Sequence, residues 1–253
     1  MSEVEMTVRD GIAIITINRV DARNAVNLAV AEGVARSLDA LDSRDDLRVG
    51  ILTGAGGVFC SGMDLKAFLR GEVGRVEGRG FGGITQAPPQ KPIIAAVEGY
   101  ALAGGFELAL ACHLIVAARD TRFGLPEVKR GLVAAAGGLV RLPRQLPTRI
   151  ALEIALTGDM FPAERLASFG LINRLVDPGK ALDGAIELAR AIAENAPLAV
   201  QVSARVMKEA ADWSTAEMFD KQYAIAAPIM KSEDAREGAA AFAEKRRPVW
   251  RGR

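Results

Sequence analysis

Apolar residues recur along the chain in two rhythms. Short β-branched runs at residues 12–17, 49–53, 93–97, 114–118 and 171–176 predict strands. A continuous apolar run such as 93–97 predicts a strand buried on both faces. Between them lie stretches with helical periodicity. In residues 27–41, Leu28, Val34, Leu38 and Leu41 fall near one face, behind Asn27, whose side chain suits a helix start. Strands alternating with helices predict βα units and mostly parallel pairing. After about Asn195 the rhythm changes. Residues 197–211, 214–228 and 232–246 read as helices with no strand among them, punctuated by Pro197 and Pro228. Ser232-Glu-Asp-Ala and Ser214-Thr-Ala-Glu read as helix starts, the second as a capping box. The predicted organisation is an α/β core over 1–195, then a helical region over 196–253 whose exposed apolar faces call for a partner.

Residues 71–83 are rich in Gly and Arg with few apolar anchors, and are expected to form a mobile loop or lid. They contain Gly78-Arg-Gly-Phe-Gly-Gly83, a formal G-x-G-x-x-G. No strand is predicted before it, so a dinucleotide site fails its structural test.

Composition works mainly by exclusion. The 253 residues carry 32 Lys and Arg against 31 Asp and Glu, a net charge of +1, so no single-sign field draws the chain to nucleic acid or a membrane. The most apolar stretch, 108–118, is too short to span a bilayer, and the N-terminus lacks the apolar segment of a signal peptide. Cys60 and Cys112 form neither a disulfide framework nor a metal-ligand spacing. A reducing cytoplasm and no metal are therefore expected. The single histidine, His113, lies in an apolar run and is expected to be a largely buried, hydrogen-bonded packing residue. A Ser–His–Asp triad would have to be built on it alone. Acid–base work then falls to carboxylates.

Two glycine-marked turns follow apolar strands, at Gly54-Ala-Gly-Gly-Val-Phe-Cys-Ser-Gly-Met63 and at Gly99-Tyr-Ala-Leu-Ala-Gly-Gly105. Helix starts at such turns leave unpaired N–H donors, and two brought together would make an oxyanion site. The same glycines also suit loops that merely turn the chain. Glu107 and Glu127 each sit among apolar residues, where a carboxylate gains a raised pKa or a specific partner. A helix-start acid and a surface-loop acid describe them equally well at this level.

A resemblance decides between these roles. Asn18-Arg-Val-Asp-Ala-Arg-Asn-Ala-Val-Asn27, Phe59-Cys-Ser-Gly-Met-Asp-Leu-Lys66, Lys91-Pro-Ile-Ile-Ala-Ala-Val-Glu-Gly-Tyr-Ala-Leu-Ala-Gly-Gly-Phe-Glu107, Leu156-Thr-Gly158 and Phe169-Gly-Leu-Ile-Asn-Arg174 together resemble the crotonase, or enoyl-CoA hydratase/isomerase, superfamily. Arg141-Leu-Pro-Arg-Gln-Leu-Pro147, Ser232-Glu-Asp-Ala-Arg-Glu-Gly238 and the segment after Ala241 are especially similar to the carnitinyl-CoA dehydratase branch. The resemblance implies an α/β fold, a crotonase-like spiral of ββα repeats with a C-terminal helical appendage, assembled as a homotrimer or homohexamer. It implies an acyl-CoA thioester substrate, with coenzyme A as part of the substrate and no separate cofactor. It places the thioester oxygen between the backbone N–H groups of Met63 and Gly104, the catalytic carboxylates at Glu107 and Glu127, and the CoA moiety along Ala25 and along Met63, Asp64, Leu65 and Lys66, with Lys66 near its phosphates. The implied reaction is reversible addition of water to a 2-enoyl-CoA. Carnitinyl-CoA dehydration, double-bond isomerisation and non-catalytic acyl-CoA binding are the alternatives on the same scaffold. Two departures stand out: His113 replaces a common Asp, and Ala134 and Ala135 replace Pro followed by Gly or Asp. Alanine keeps its amide but not an acidic side chain, which argues against carnitinyl-CoA as substrate.

Overall fold

The computed structural model describes residues 2–253. The chain runs β1 (Val4–Arg9), β2 (Ile12–Ile17), α1 (Leu28–Ser43), β3 (Val49–Gly54), α2 (Leu65–Leu69), β4 (Arg75–Val76), β5 (Gly80–Phe81), β6 (Ile93–Val97), β7 (Tyr100–Leu102), α3 (Gly104–Ala111), β8 (Leu114–Ala118) and β9 (Arg122–Gly124). A 3-10 turn, Pro126–Arg130, then leads into α4 (Gly138–Gln145), α5 (Thr148–Thr157), β10 (Phe161–Pro162), α6 (Ala163–Ser168), β11 (Arg174–Val176) and α7 (Ala181–Ala193). The helices α8 (Pro197–Glu209), α9 (Met218–Ala226) and α10 (Glu233–Glu244) follow.

The main sheet has the order β1-β2-β3-β6-β8-β11, parallel throughout except for β1, which pairs antiparallel with β2 at the edge. A second sheet, β10-β9-β7, stands beside it, with β7 and β9 parallel. Strands β6 and β8 each end in a corner, after which the chain enters β7 or β9 and then a helix. This repeated strand, corner, strand, helix unit is the predicted ββα spiral. The residues before α2 join it through a parallel bridge of Cys60 to Ala101.

Each face of the main sheet is covered by a different element. Val30, Val34, Leu38 and Leu41 of α1 belong to the larger core, with Ile15, Leu52, Ala95 and Phe106. Asn27 accepts from the Val30 amide at 2.9 Å and caps α1 as predicted. Leu28 lies on the solvent side instead, because the buried stripe starts at Val30. On the opposite face Ile12, Ile51, Ile94 and Val116 meet Ala181, Ala185, Ile186 and Ala189 of α7. Small residues let α7 lie close: a Cβ on Gly184 would come within 2.8 Å of Val176 Cγ1. The Glu98 carboxylate, at the end of β6, accepts from the Ala181 amide at 2.7 Å and the Gly179 amide at 3.1 Å, satisfying the start of α7.

Four expectations differ in detail. The strand over 171–176 is confined to Arg174–Val176; Leu171 and Ile172 are buried beyond the end of α6. The N-terminal strand β1 was not predicted, although Asp10 and Gly11, at φ 52° and 75°, make the two-residue turn that such a hairpin needs. Residues 71–83 contain the hairpin β4–β5, packed so closely on α1 that a Cβ on Gly83 would come within 2.8 Å of the Ala35 amide. Finally, Ser214 opens a turn and α9 begins only at Met218, without a side-chain cap, whereas Ser232 caps α10 through the Ala235 amide at 3.0 Å.

Asn24 pins the loops above the sheet. Fully buried at φ 56°, its side chain accepts from the Arg19 amide at 2.9 Å and donates to Ala55 O at 2.9 Å and Val58 O at 2.6 Å. Replacing Asn24 by Ala removes the partner of three partly buried backbone groups. The expected loss is at least about 3 kcal/mol, read as a lower urea midpoint with an unchanged slope.

Candidate active site

The segment from Phe59 to Met63 runs along β7, held by Phe59 N to Glu98 O at 2.9 Å, Cys60 N to Tyr100 O at 3.0 Å and Leu102 N to Cys60 O at 3.1 Å. At the end of this segment Met63 forms a parallel bridge with Val26: Val26 N donates to Gly62 O at 2.8 Å and Asp64 N to Val26 O at 2.9 Å. In a parallel bridge those flanking groups make both bonds, so the N–H of Met63 points away from Val26. Helix α3 starts beside it. Ala103 takes φ 51° and ψ −129°, a conformation costing a non-glycine residue about 1–3 kcal/mol. It turns the chain so that Gly104 begins the helix with an N–H that has no intrahelical acceptor. Among the described residues, neither the Met63 nor the Gly104 amide donates a hydrogen bond.

Close packing holds the two amides together. A Cβ on Gly62 would lie 2.8 Å from Ala103 Cβ and 3.3 Å from the Gly104 nitrogen. A Cβ on Gly104 would enter the Phe81 ring, and one on Gly105 the carbonyl of Cys60. These glycines therefore do more than turn the chain: a side chain at Gly62 or Gly105 would push the two turns apart, and one at Gly104 would displace Phe81.

Met63 and Gly104 both border a cavity of about 460 Å³, whose wall also carries Glu107 and Glu127. Glu107, only 3% exposed, lies one turn into α3, and its Oε1 accepts from the Gly138 amide at 2.8 Å. Burial raises its pKa, opposed by the Gly138 and Ala136 amides and by the charge of Arg141. Glu127 lies in the 3-10 turn, and its buried Oε2 has no partner among the described residues. Burial pushes Glu127 up to about 7; its own amide and Arg130 oppose this, and the neighbouring charge of Glu107 adds to it. One cavity thus holds two free N–H donors and two carboxylates of unequal anchoring, the parts needed to stabilise an oxyanion and to move a proton.

The other predicted residues are distributed unevenly. Leu65 joins Met63 on the cavity wall, and Ala25, Asp64 and Lys66 do not. The carbonyl of buried Ala25 accepts from the Arg19 guanidinium. Asp64 caps α2 through the Lys66 and Ala67 amides, both at 3.0 Å, and pairs with Arg19 at 3.0 Å, so its carboxylate is committed to structure. Lys66 is exposed. His113 is half-buried and accepts from the Ile93 amide at 3.2 Å; it lines a separate cleft of about 650 Å³ whose walls include neither glutamate. Sequence reasoning missed Phe81, Arg23 and Arg130 on the cavity wall, and Gly138 behind Glu107. The pair Gly137-Gly138 was the available signal for the last of these. Among the described residues no group of three or more His, Cys, Asp or Glu side chains could hold a metal ion.

The spiral of ββα units, with its helical C-terminal region, is the crotonase fold. The chain belongs to the enoyl-CoA hydratase/isomerase family, whose sequence pattern matches residues 7–253. It is similar to the crystal structure of an enoyl-CoA hydratase from Mycobacterium marinum, with 59% identity, a TM-score of 0.98 and 100% of each chain covered. It is also 40% identical to the mevalonyl-coenzyme A hydratase of Aspergillus fumigatus, over 95% of this chain and 91% of that one. To the carnitinyl-CoA dehydratase of Salmonella arizonae it is 42% identical over 100% of both.

The raised pKa of Glu127 has a consequence for stability. Between the ordinary value of 4.5 and about 7, the unfolded chain has lost a proton that the folded chain keeps. Folding stability attributable to Glu127 therefore falls as pH rises through this window. Urea unfolding at stepped pH should show wild-type stability declining relative to Glu127→Gln from pH 4.5 to 7. Parallel curves would mean that Glu127 titrates normally.

Proposed function

We propose that the protein is an enoyl-CoA hydratase, a hydro-lyase that reversibly adds water to a 2-enoyl-CoA thioester. The observation that carries this reading is the placement of both glutamates on the wall of the cavity that holds the free Met63 and Gly104 amides. As the water oxygen bonds to C3, charge moves through the conjugated system to the thioester oxygen. Amides fixed in advance bind that enolate oxygen more strongly than the ground-state carbonyl, and losing one such donor costs about 3–4 kcal/mol of barrier. Glu107, anchored by Gly138, orients the water and takes its proton. Glu127, with the higher proton affinity, delivers a proton to C2 and removes it in the reverse direction. The two carboxylates share one water and titrate as a coupled pair.

Coenzyme A enters as part of the substrate, and the scheme needs no further cofactor. Exposed Lys66 is the group we assign to the CoA phosphates. An isomerase needs one well-placed base, so retention of both glutamates favours hydration. Dehydration of a carnitinyl thioester is the second reading, supported by the likeness to carnitinyl-CoA dehydratase; alanine at 135 counts against it. The buried, unpaired Cys60 and Cys112 suit a reducing compartment such as the cytoplasm. No helix among the described residues is long and apolar enough to cross a membrane.

The deciding assay is a panel of short, medium, long and branched 2-enoyl-CoAs, followed by loss of the conjugated thioester absorbance. Glu107→Gln and Glu127→Gln should each lower turnover at least about a hundredfold while CoA-ester binding persists. The double variant should lose far less than the product of the two. Near-normal hydration by Glu107→Gln would make a one-base isomerase the better description.

The C-terminal helices support a homotrimer or homohexamer in solution. Met207, Met230 and Phe242 are 80%, 79% and 85% exposed, apolar area that a neighbouring copy would cover. Sedimentation should find such an assembly at micromolar concentration, and a stable folded monomer would refute it.

A further inference from the structure

Glu107 depends on a turn that sequence reasoning passed over. Its anchoring amide belongs to Gly138, the first residue of α4, and a Cβ there would come within 3.1 Å of Glu107 Oε1. The preceding Gly137 takes φ 113°. One turn further on stands Arg141, which brackets Gly137 from two sides. Its amide donates to Gly137 O at 2.9 Å. Its guanidinium folds back over Gly137 so closely that a Cβ on that residue would collide with Nη1. From there Nη2 donates to the carbonyl of Thr85, a buried residue on the wall of the active-site cavity. Arg141 itself lines the other cleft, beneath α8, and not the cavity holding the glutamates.

We propose that Arg141 is a positioning residue: without touching substrate, it clamps the Gly137–Gly138 turn to Thr85 and so holds Glu107 in place for catalysis. This role rests on the hydratase reading of the site. Its charge acts in the same direction as its geometry. The groups bearing on Glu107 are Arg141 from α4 and Glu127 from the 3-10 turn, with the Gly138 and Ala136 amides. Those bearing on Arg141 are Glu107 and Cys112. Cys112 is pushed up to about 12 by burial and is therefore neutral, so Glu107 is the anion that the guanidinium faces. Arginine stays charged despite its partial burial. It thus favours the ionised Glu107 against the desolvation that would neutralise it.

The test titrates Glu107 directly. Protein labelled with ¹³C-carboxyl glutamate is followed by NMR across pH, with E107Q identifying the resonance, and kcat and KM are measured on the same preparations. In R141Q the Glu107 midpoint should rise by at least about one pH unit, the scale of a lost neighbouring charge. Its kcat should fall at least about tenfold with KM within about threefold, since ground-state binding is untouched. R141K keeps the charge but not the planar fork. It should restore the midpoint to within about half a unit and still leave kcat reduced about threefold or more. Adding R141Q to E107Q should cost little further, because the arginine acts through that carboxylate. A wild-type midpoint with wild-type kcat in R141Q, whatever its melting temperature, overturns the proposal. Should R141Q not fold, wild-type kcat in R141K does the same. A shifted midpoint in a protein whose wild type hydrates no enoyl-CoA leaves the clamp standing and removes the hydratase reading instead.

Discussion

The rest of the site depends on one close approach of backbone to backbone. The peptide from Cys60 to Met63 lies directly against the start of α3, with no side chain between them at Gly62 or Gly105. Hydrogen bonds to β7 pull the two segments into register, and the bridge to Val26 turns the Met63 amide outward. A Cβ at Gly62 or Gly105 would press on the facing segment, and one at Gly104 on the Phe81 ring. The geometry is thus set by what is absent from the side chains, so the side chain of Met63 can vary while its N–H cannot move.

Such a junction is costly to hold. Ala103 is strained, and Glu107 and Glu127 are carboxylates removed from water. None of these stabilises the fold, and each persists only because its surroundings are rigid. That rigidity comes from the two-sided burial of the parallel sheet, with α1 over one face and α7 over the other, and from polar side chains that close the loops. Asn24 ties the loop after β2 to the one after β3, and Glu98 ties the end of β6 to the start of α7. The side chains that secure the scaffold are therefore distinct from those that line the cavity.

This division explains what could be read in the sequence. Buried parallel strands announce themselves as apolar runs because both faces need the same chemistry, so β2, β3, β6 and β8 were legible. The edge strand β1 was not, because only Val4 of its six residues is buried and its charged residues hide the pattern. The glycine turns marked the region of Met63 and Gly104, and apolar surroundings marked Glu107 and Glu127, but only the family resemblance joined the four, which the fold brings to one cavity wall. The contacts of Gly138 and Arg141 were not legible, although the Gly137-Gly138 pair marked a turn: Gly138 meets Glu107 across 31 positions and Arg141 meets Thr85 across 56, and no local periodicity encodes such contacts. Asp64 shows the converse. Its motif suggested a ligand contact, whereas both of its oxygens serve a helix cap and an ion pair.

The two glutamates illustrate how a fold separates the roles of identical side chains. Both are removed from water, and burial alone would raise both alike. What differs is the supply of compensating dipoles and charge. Glu107 sits where a helix start presents amides to it and a guanidinium stands behind it; Glu127 has an oxygen with no partner among the described residues and feels the charge of Glu107 besides. Each added donor on Glu107 lowers its own proton affinity, and by fixing negative charge nearby it raises that of Glu127. Proton affinities are therefore driven apart by one structural asymmetry rather than tuned separately. An acid and a base working on a single water, as proposed, gain from that separation, because two carboxylates with equal affinities would leave half of the singly protonated molecules with the proton on the wrong one. In the proposed hydration reversibility is preserved as well, since an acid raised to about 7 can both give a proton to C2 and take it back near neutral pH.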